Sequence, residues 1–466
     1  MSGVAPAQPA SRSIVAAIAR HATPILIAQL ASMSTAIVDT LITARVSPVD
    51  LAAVGIGAGL YMSVMLAGAG VVQGLTPIAA HHVGARRFQA LPATFQQGLW
   101  LCLILAILGS LILAMPDWLL RISHVGPEVA ARTRDYLAVL ALALPGTLVY
   151  RTSGGMLNAL GRPRMLMFLG LGNAFSHVLL APALAFGWLG LPALGAVGCA
   201  ASVAINTSLL AVISLVYLAR SAVSRELGLL RHWQGPRVKL LAEHLKLGVP
   251  IGLSTFVEMS SFALIGLLVA GLGTEAVGAN RLLGNFAGTC YMLPLSISIA
   301  TLALVGQAAG AQDWARVRHT ALAGMLLGCG IAMLVGLTLW LLHVPLIEAS
   351  VPDPGVRKVA FGLVGLIALY QLADAAQTIA AQALRGLKIT TWPMLVHIVS
   401  FWGVGLAGGW YLCYRGLGSL GIAPQGLAGF WQAGVASSSL AAVLFTGLLC
   451  ATLRRHPLSK PVQDRT

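Results

Sequence analysis

Twelve apolar runs, each 22 to 30 residues long, organise this chain of 466 residues. They fall near 22–43, 51–80, 93–115, 135–159, 165–187, 194–219, 246–271, 276–305, 319–343, 359–384, 390–414 and 427–451. A helix needs about 20 mostly apolar residues to cross a bilayer. Inside lipid the backbone must satisfy its own polar groups, which favours helices for runs of this length. The chain is therefore expected to be an all-α integral membrane protein with twelve transmembrane helices. Composition agrees: 58% of residues are hydrophobic and 9% are charged, against about 25% charged in soluble domains. The least marked boundary is 186–196, a connection without charge.

The charge excess is +15, from 29 Lys and Arg against 14 Asp and Glu. In a soluble domain that excess would suggest nucleic acid. Here the basic residues are scattered among the connections and form no continuous patch, which argues against a nucleic-acid partner. Basic loops beside anionic lipid account for them. With both termini in the cytoplasm, 20 Lys and Arg fall inside and 8 outside, with Arg151 left within the fourth run. That bias predicts cytoplasmic termini and an even number of spans. The six cysteines have no CxxC or metal spacing and read as small buried apolar residues. The first 24 residues, "MSGVAPAQPASRSIVAAIARHATP", lack the pattern of a cleavable signal. They read as a short polar tail and an amphipathic lead into the first span.

The chain also repeats itself. Shifting by 226 positions brings Pro24-Ile25 onto Pro250-Ile251, Ala53 onto Ala279, and Gly84-Ala85 onto Gly310-Ala311. Near an offset of 224, "NALGRPRM" (158–165) meets "QALRGLKI" (382–389). Six spans per copy leave the copies in the same orientation. The expectation is two six-helix bundles related by a pseudo-two-fold axis along the membrane normal, enclosing a central cleft for a transported ligand. The expected divisions are a cytoplasmic tail 1–21, an N-terminal lobe 22–219, a cytoplasmic linker 220–245, a C-terminal lobe 246–452 and a cytoplasmic tail 453–466.

Three acids stand well inside apolar runs: Asp39, Glu258 and Asp374. An acid at the centre of a bilayer costs about 2.5–3.5 kcal/mol on insertion scales, and such residues commonly mark ion or substrate paths. Residues three and four apart share a helix face. Thr35 and Thr43 flank Asp39; Ser254 and Ser261 flank Glu258. Tyr370, Gln371, Gln377 and Thr378 flank Asp374. Each acid heads a polar stripe that should face protein or water. Glu258 and Asp374 share the second half, where two carboxylates at one site would repel. A shared proton or a Na⁺ held by both, with Tyr370, would relieve that repulsion, since hard cations prefer oxygen ligands. Asp39, alone in the first half, would attract a cationic substrate or relay a proton. A tie to a basic residue such as Arg151 is the structural alternative.

These acid-bearing segments carry a resemblance. "PILIAQLASMSTAIVDTLITARVSPVDLAAVGIG" (24–57) and "GLTPIAAHHVGA" (74–85) resemble the opening of the multidrug and toxic-compound extrusion transporters, in their bacterial NorM-like branch. "GVPIGLSTFVEMSSFAL" (248–264), "YMLPLSISIA" (291–300) and "YQLADAAQ" (370–377) resemble the seventh, eighth and tenth helices. The resemblance implies two six-helix lobes and efflux of bulky, often cationic, amphipathic drugs in exchange for Na⁺ or H⁺. It implies a bacterial inner-membrane protein, monomeric, in contact with lipids, with no cofactor beyond the coupling ion. By motif position, Glu258 and Asp374, with Tyr370, become the cation-coupling set and the Na⁺ ligands if sodium is the ion. Asp39 becomes the N-lobe acid. Family members often carry two Asn a turn apart on helix five; here Asn173 is present but His177 stands at the second position. Asn173 and His177 are therefore candidates, with Asp39, for substrate or proton handling. Ser254, Ser261, Gln377 and Thr35 are secondary polar candidates.

Other features narrow the function. No GxxxxGK[ST] occurs, so coupling to an ion gradient is favoured over a P-loop ATPase. No DDxxD, HExxH or GxSxG occurs, which argues against an enzyme. A flippase for lipid-linked oligosaccharides is the alternative transporter. It would need several Arg or Lys in its cleft, and Arg151 is the basic residue placed mid-span. Pro24, Pro250 and Pro294 read as helix-start or kink devices. The glycines of "AGLYMSVMLAGAGVVQGL" (58–75) read as close helix packing.

Overall fold

A computed structural model of the chain describes residues 11–117, 120, 126–190, 192–221, 226–416, 421 and 423–456. The outermost tails, Arg121 and part of the 220–245 segment lie outside the described residues. Twelve helices long and apolar enough to span a membrane are present among those described. They are α1 (Ser11–Val46), α2 (Pro48–Gly84), α3 (Phe88–Ala114), α4 (Pro127–Ala159), α5 (Arg164–Phe186) and α6 (Ala196–Arg220). They continue with α7 (Val238–Leu272), α8 (Thr274–Gly310), α9 (Trp314–Leu341), α10 (Val364–Gly386), α11 (Thr391–Tyr414) and α12 (Leu427–Arg455). The chain is thus an all-helical, multi-pass membrane protein, as the apolar runs predict.

The boundaries follow local chemistry. Ser47 caps α2 by accepting the Asp50 amide hydrogen at 2.9 Å, and Pro48 opens the helix, where its missing N–H costs nothing. Gly187, at φ +75°, ends α5 in the left-handed conformation. That settles the uncharged 186–196 connection. Two expectations shift. The first helix is already formed at Ser11, the first described residue, so the amphipathic lead is one helix with the span. The tenth span begins at Val364, because Asp353 caps a separate short helix, Pro354–Phe361, ahead of it. Pro24, Pro250 and Pro294 all lie within helices.

The described chain divides into two compact units. The first runs from Thr23 to Gly252. At its centre α4 packs against α2, α3 and α6. Leu137, Leu140, Leu144 and Leu148 of α4 are almost fully buried there. The second holds the start of α1, as far as Ala22, together with everything from Leu253 onward. At its centre α10 packs against α8, α9 and α12. The fourth helix of each run of six is therefore the core helix of its unit.

The same contacts recur in each unit. In the first, a Cβ on Gly74 would stand 2.8 Å from the Gly248 nitrogen. In the second, Ala22 and Ala300 share one buried cluster. Positions 22 and 74 plus 226 give 248 and 300. The turn before α6 places Leu194 and Gly195 amides on the Leu184 and Ala185 carbonyls, both at 3.0 Å. The turn before α12 places Gln425 and Gly426 on Leu412 and Cys413 at 3.0 and 3.2 Å. Gly195 and Gly426 both take positive φ, +60° and +56°, to make that turn.

Part of the segment between the two runs of six is strapped to the first unit. Gln96 and Gln97, at the start of α3, are fully buried. Gln96 donates to the Leu229 carbonyl at 3.0 Å and accepts from the Gln234 amide at 2.8 Å. Gln97 donates to the Gly235 carbonyl at 2.9 Å and accepts from the Arg237 amide at 2.8 Å. Trp100 donates to the Gln234 carbonyl at 2.9 Å. Each glutamine thus supplies one donor and one acceptor to backbone groups that lie outside any helix.

Candidate functional site

In the second unit, α10 presents one continuous buried polar face. Tyr370, Gln371, Asp374, Gln377, Thr378, Gln382 and Arg385 are all buried. Their spacing of three and four residues lines them along one side of the helix. The Asp374 carboxylate accepts from Gln377 Nε2 at 3.0 Å. The Tyr370 hydroxyl is turned toward it from the preceding turn. The Tyr370 ring is fixed edge-on against Trp431 of α12, with centroids 6.0 Å apart. Gln377 is oriented in turn by His397 of α11, whose Nε2 lies 3.2 Å from Gln377 Oε1. Gln371 donates to the Ala287 carbonyl of α8 at 3.0 Å, so it fastens the helix rather than serving the acid.

Glu258 comes from α7. It is half-buried and lies within Coulombic reach of Asp374 and Arg385. One turn before it, Ser254 Oγ is buried with no hydrogen-bond partner among the described residues. One turn after it, Ser261 donates to the Phe401 carbonyl at 3.0 Å. That carbonyl belongs to a π-helical stretch of α11, Ile398–Gly408, whose wider winding re-aims backbone oxygens. Ser261 is thereby committed to packing, while Ser254 keeps a hydroxyl to offer.

Arg385 is the principal correction. Its place beside Gly386 and Lys388 in the sequence put it in a cytoplasmic loop. The structure buries it in α10, with its nearest hydrogen-bond partner Gln382 Oε1 at 3.4 Å. Arg151 is the reverse case. It sits within α4 but is exposed, and it forms no ion pair among the described residues. The basic residue near an intramembrane acid is Arg385, not Arg151.

In the first unit, Asp39 of α1 meets His177 of α5, with Oδ1 and Nε2 2.9 Å apart. The side chains are 16% and 2% exposed, so the pair is shielded on the histidine side. His177 Nδ1 lies 3.0 Å from Ser202 Oγ of α6. Asn206, one turn on, reaches Ser202 at 3.4 Å and accepts from Ser176 at 2.7 Å. Asn173 is half-buried and takes no part in this chain. Thr35 donates to the Ser32 carbonyl at 2.8 Å and Thr43 to the Asp39 carbonyl at 2.8 Å, so both serve the α1 backbone. Sequence reading named Asp39 and His177 but missed Ser202, Asn206 and Ser176. Their only signal was polarity inside apolar runs.

Among the described residues, no three His, Cys, Asp or Glu side chains converge as metal ligands. The second unit offers instead two carboxylates, a phenol and a free serine hydroxyl. That is an oxygen set suited to a proton or a hard monovalent cation.

A family model described as MatE matches residues 24–183 and again 250–411. The chain belongs to the MatE family. The two matches begin 226 positions apart, the same offset that aligned Pro24 with Pro250. The resemblance noted in the sequence is therefore borne out. A protein of Aromatoleum aromaticum named "Probable multidrug resistance protein NorM" is 48% identical over 96% of both chains. A protein of the same name from Chromobacterium violaceum is 37% identical over 96% of this chain and 97% of its own. "Multidrug resistance protein PmpM" of Pseudomonas aeruginosa is 31% identical over 93% of this chain and 91% of its own. Among solved structures, "MATE in complex with MaL6" superposes with a TM-score of 0.86 at 16% identity, covering 95% of this chain and 97% of that one. The eukaryotic MATE transporter AtDTX14 gives 0.83 at 16% identity, covering 96% and 98%. At that identity the structures establish the fold, and the family rests on the sequence matches.

Proposed function

We propose that this chain is a multidrug efflux antiporter of the bacterial inner membrane, with both termini cytoplasmic. It exports bulky, often cationic, amphipathic compounds in exchange for Na⁺ or H⁺. The names of its relatives support the drug class. The coupling reading is carried by one observation: Glu258 and Asp374 lie within Coulombic reach of each other inside a spanning bundle. Two carboxylates this near repel when both are ionised. A proton or Na⁺ entering between them removes the repulsion, with Tyr370 and Ser254 as further oxygen ligands. Occupancy of that site then favours one access state over the other. Moving such an equilibrium from one state to the other needs about 5.5 kcal/mol of differential binding, which an ion gradient can supply.

Asp39 and His177 supply the second polar centre of this reading, for proton handling or attraction of the cationic substrate. Efflux of a fluorescent organic cation from everted vesicles tests the proposal, under separate Na⁺ and pH gradients. Glu258→Gln and Asp374→Asn should each abolish gradient-driven efflux while leaving the protein in the membrane. Unimpaired efflux in both variants would sink the coupling assignment.

A further inference from the structure

Arg151 is a charge within the spans that the coupling reading leaves without a role. It stands in α4, eight residues and about 12 Å of helix short of the end at Ala159. It is exposed, and it makes no hydrogen bond or ion pair among the described residues. Long helical side chains lean toward the N-terminal end of their helix, over the preceding turn. Arg151 follows that rule: it comes within Coulombic reach of Tyr61 of α2, whose hydroxyl bonds Thr147, one turn back, at 3.0 Å. The lean carries the guanidinium into the span, whereas a snorkelling arginine would run out to the nearer interface.

The groups around it do not answer its charge. Tyr61 and Thr147 bond each other, and Thr147 also donates to the Ala143 carbonyl at 2.9 Å. Tyr150, the other phenol within Coulombic reach, brings no carboxylate. Asp39 meets Tyr136 instead. Fifteen residues of α4, about 22 Å, separate Tyr136 from Arg151, and the partner of Asp39 is His177 at 2.9 Å. Asp50 is bonded to Ser47 and to the Ala196 amide.

We propose that Arg151 is a specificity-determining residue of this transporter, which binds the carboxylate of exported compounds that carry one. The proposal rests on the drug-export reading and extends its substrates from organic cations to zwitterions. Ionisable residues within spans commonly mark substrate or ion paths. A guanidinium offers five N–H donors in a planar fork that fits a carboxylate through two parallel bonds. On the topology of the export reading, the Ala159 end of α4 is cytoplasmic. Arg151 then stands in the half of the span that a compound leaving the cell meets first. A single guanidinium suits a single carboxylate, whereas the pyrophosphate of a lipid-linked sugar would call for several basic groups. An organic cation without an acid gains nothing from Arg151 and is repelled by it.

A matched pair of dyes tests this on the full-length protein in detergent. Rhodamine B carries a free carboxylate and a delocalised cation; its ethyl ester keeps the cation alone. Fluorescence anisotropy at neutral pH reads the affinity of each. Arg151→Gln should weaken binding of rhodamine B by about tenfold or more, as the loss of a charge-assisted contact does. It should change binding of the ester by less than about threefold, which also reports that the variant is folded. Arg151→Lys keeps the charge without the fork and should fall between wild type and Arg151→Gln for rhodamine B. Equal weakening of both dyes, an unchanged affinity for rhodamine B, or no saturable binding of it by the wild type would overturn the proposal. If Arg151 tells the dyes apart but everted vesicles move neither under a gradient, the export reading fails while the binding assignment stands.

Discussion

The carboxylate of Asp50 accepts the amide hydrogen of Ala196, 146 residues away in sequence, at 2.9 Å. Ala196 is the first residue of α6, so an acid at the start of one spanning helix caps the start of another. The positive end of α6 favours the negative charge. The second carboxylate oxygen accepts from Ser47 at 2.6 Å. Asp50 is buried, which makes the pairing costly to break. We expect Asp50→Ala to destabilise the protein by about 1.5–3 kcal/mol, the range for a hydrogen bond to a charged group. Asp50→Asn keeps an acceptor for Ala196 and should lose less. A thiol-reactive thermal unfolding assay in detergent reads this, because Cys102, Cys199 and Cys413 are buried until the fold opens. Equal melting of wild type and Asp50→Ala would refute the cap.

A second prediction concerns the glycines where α2 meets the start of α7. Gly70 and Gly74 face Gly252 and Gly248, each pair one helical turn apart. A Cβ on Gly248 would collide with the Val71 carbonyl, which is backbone and cannot rotate away. Small residues at such crossings let helices approach closely in a membrane. Gly248→Ala should cost about 1–3 kcal/mol, as overpacking does. Gly59→Ala in α2 is the control: nothing lies within 4 Å of its Cβ position. It should hold or raise the melting temperature, because alanine is the better helix former.

A third concerns the strap at 229–237. Gln97→Ala leaves the Gly235 carbonyl and the Arg237 amide without their partner. Gly235 and Arg237 are exposed, so water takes up the freed groups and each lost hydrogen bond costs about 0.5–1.5 kcal/mol. The segment should loosen, and trypsin should cleave after Arg231 or Arg237 several-fold faster in Gln97→Ala than in wild type. Gln97→Glu retains the acceptor for Arg237 and should fall between the two. Identical cleavage rates would show that the ladder contributes nothing to order there.

The spans were legible in the sequence because spanning a bilayer is a local property: about 20 apolar residues suffice, whatever they pack against. The acids Asp39, Glu258 and Asp374 stood out for the same reason, as charges far from any loop. Asp50 and Arg385 did not, because both lie at the ends of apolar runs. A charge at a run's end reads as a loop residue until the packing around it is known. What buries Arg385 is the meeting of α10 with α8 and α12, contacts that no window along the chain contains. The Ser176–Asn206–Ser202 chain was hidden likewise. Each member is an unremarkable polar residue in its own helix, and only the crossing of α5 and α6 makes it a device.

The fourth prediction follows from the burial of Arg385. Among the described residues the Arg385 guanidinium makes one hydrogen bond, at 3.4 Å to a neutral partner, which compensates its charge poorly, and Glu258 is the carboxylate whose charge it meets. On the proposed antiport reading it is a tethered cation, offsetting part of the negative potential that would draw a mobile cation to Glu258 and Asp374. At a separation on the order of 10 Å and an effective dielectric near 20, the interaction is about 1.7 kcal/mol. That is more than tenfold in affinity. Arg385→Gln should tighten Na⁺ binding by the second unit by about that factor if sodium is the ion taken. Arg385→Lys keeps the charge and should stay within about threefold of wild type. Tighter binding carries a consequence for turnover. A cation held more firmly leaves more slowly, so Arg385→Gln should slow efflux under a saturating Na⁺ gradient while lowering the Na⁺ concentration for half-maximal rate. Unchanged or weaker Na⁺ binding in Arg385→Gln would reduce Arg385 to a packing residue and leave the potential at the site to the carboxylates alone.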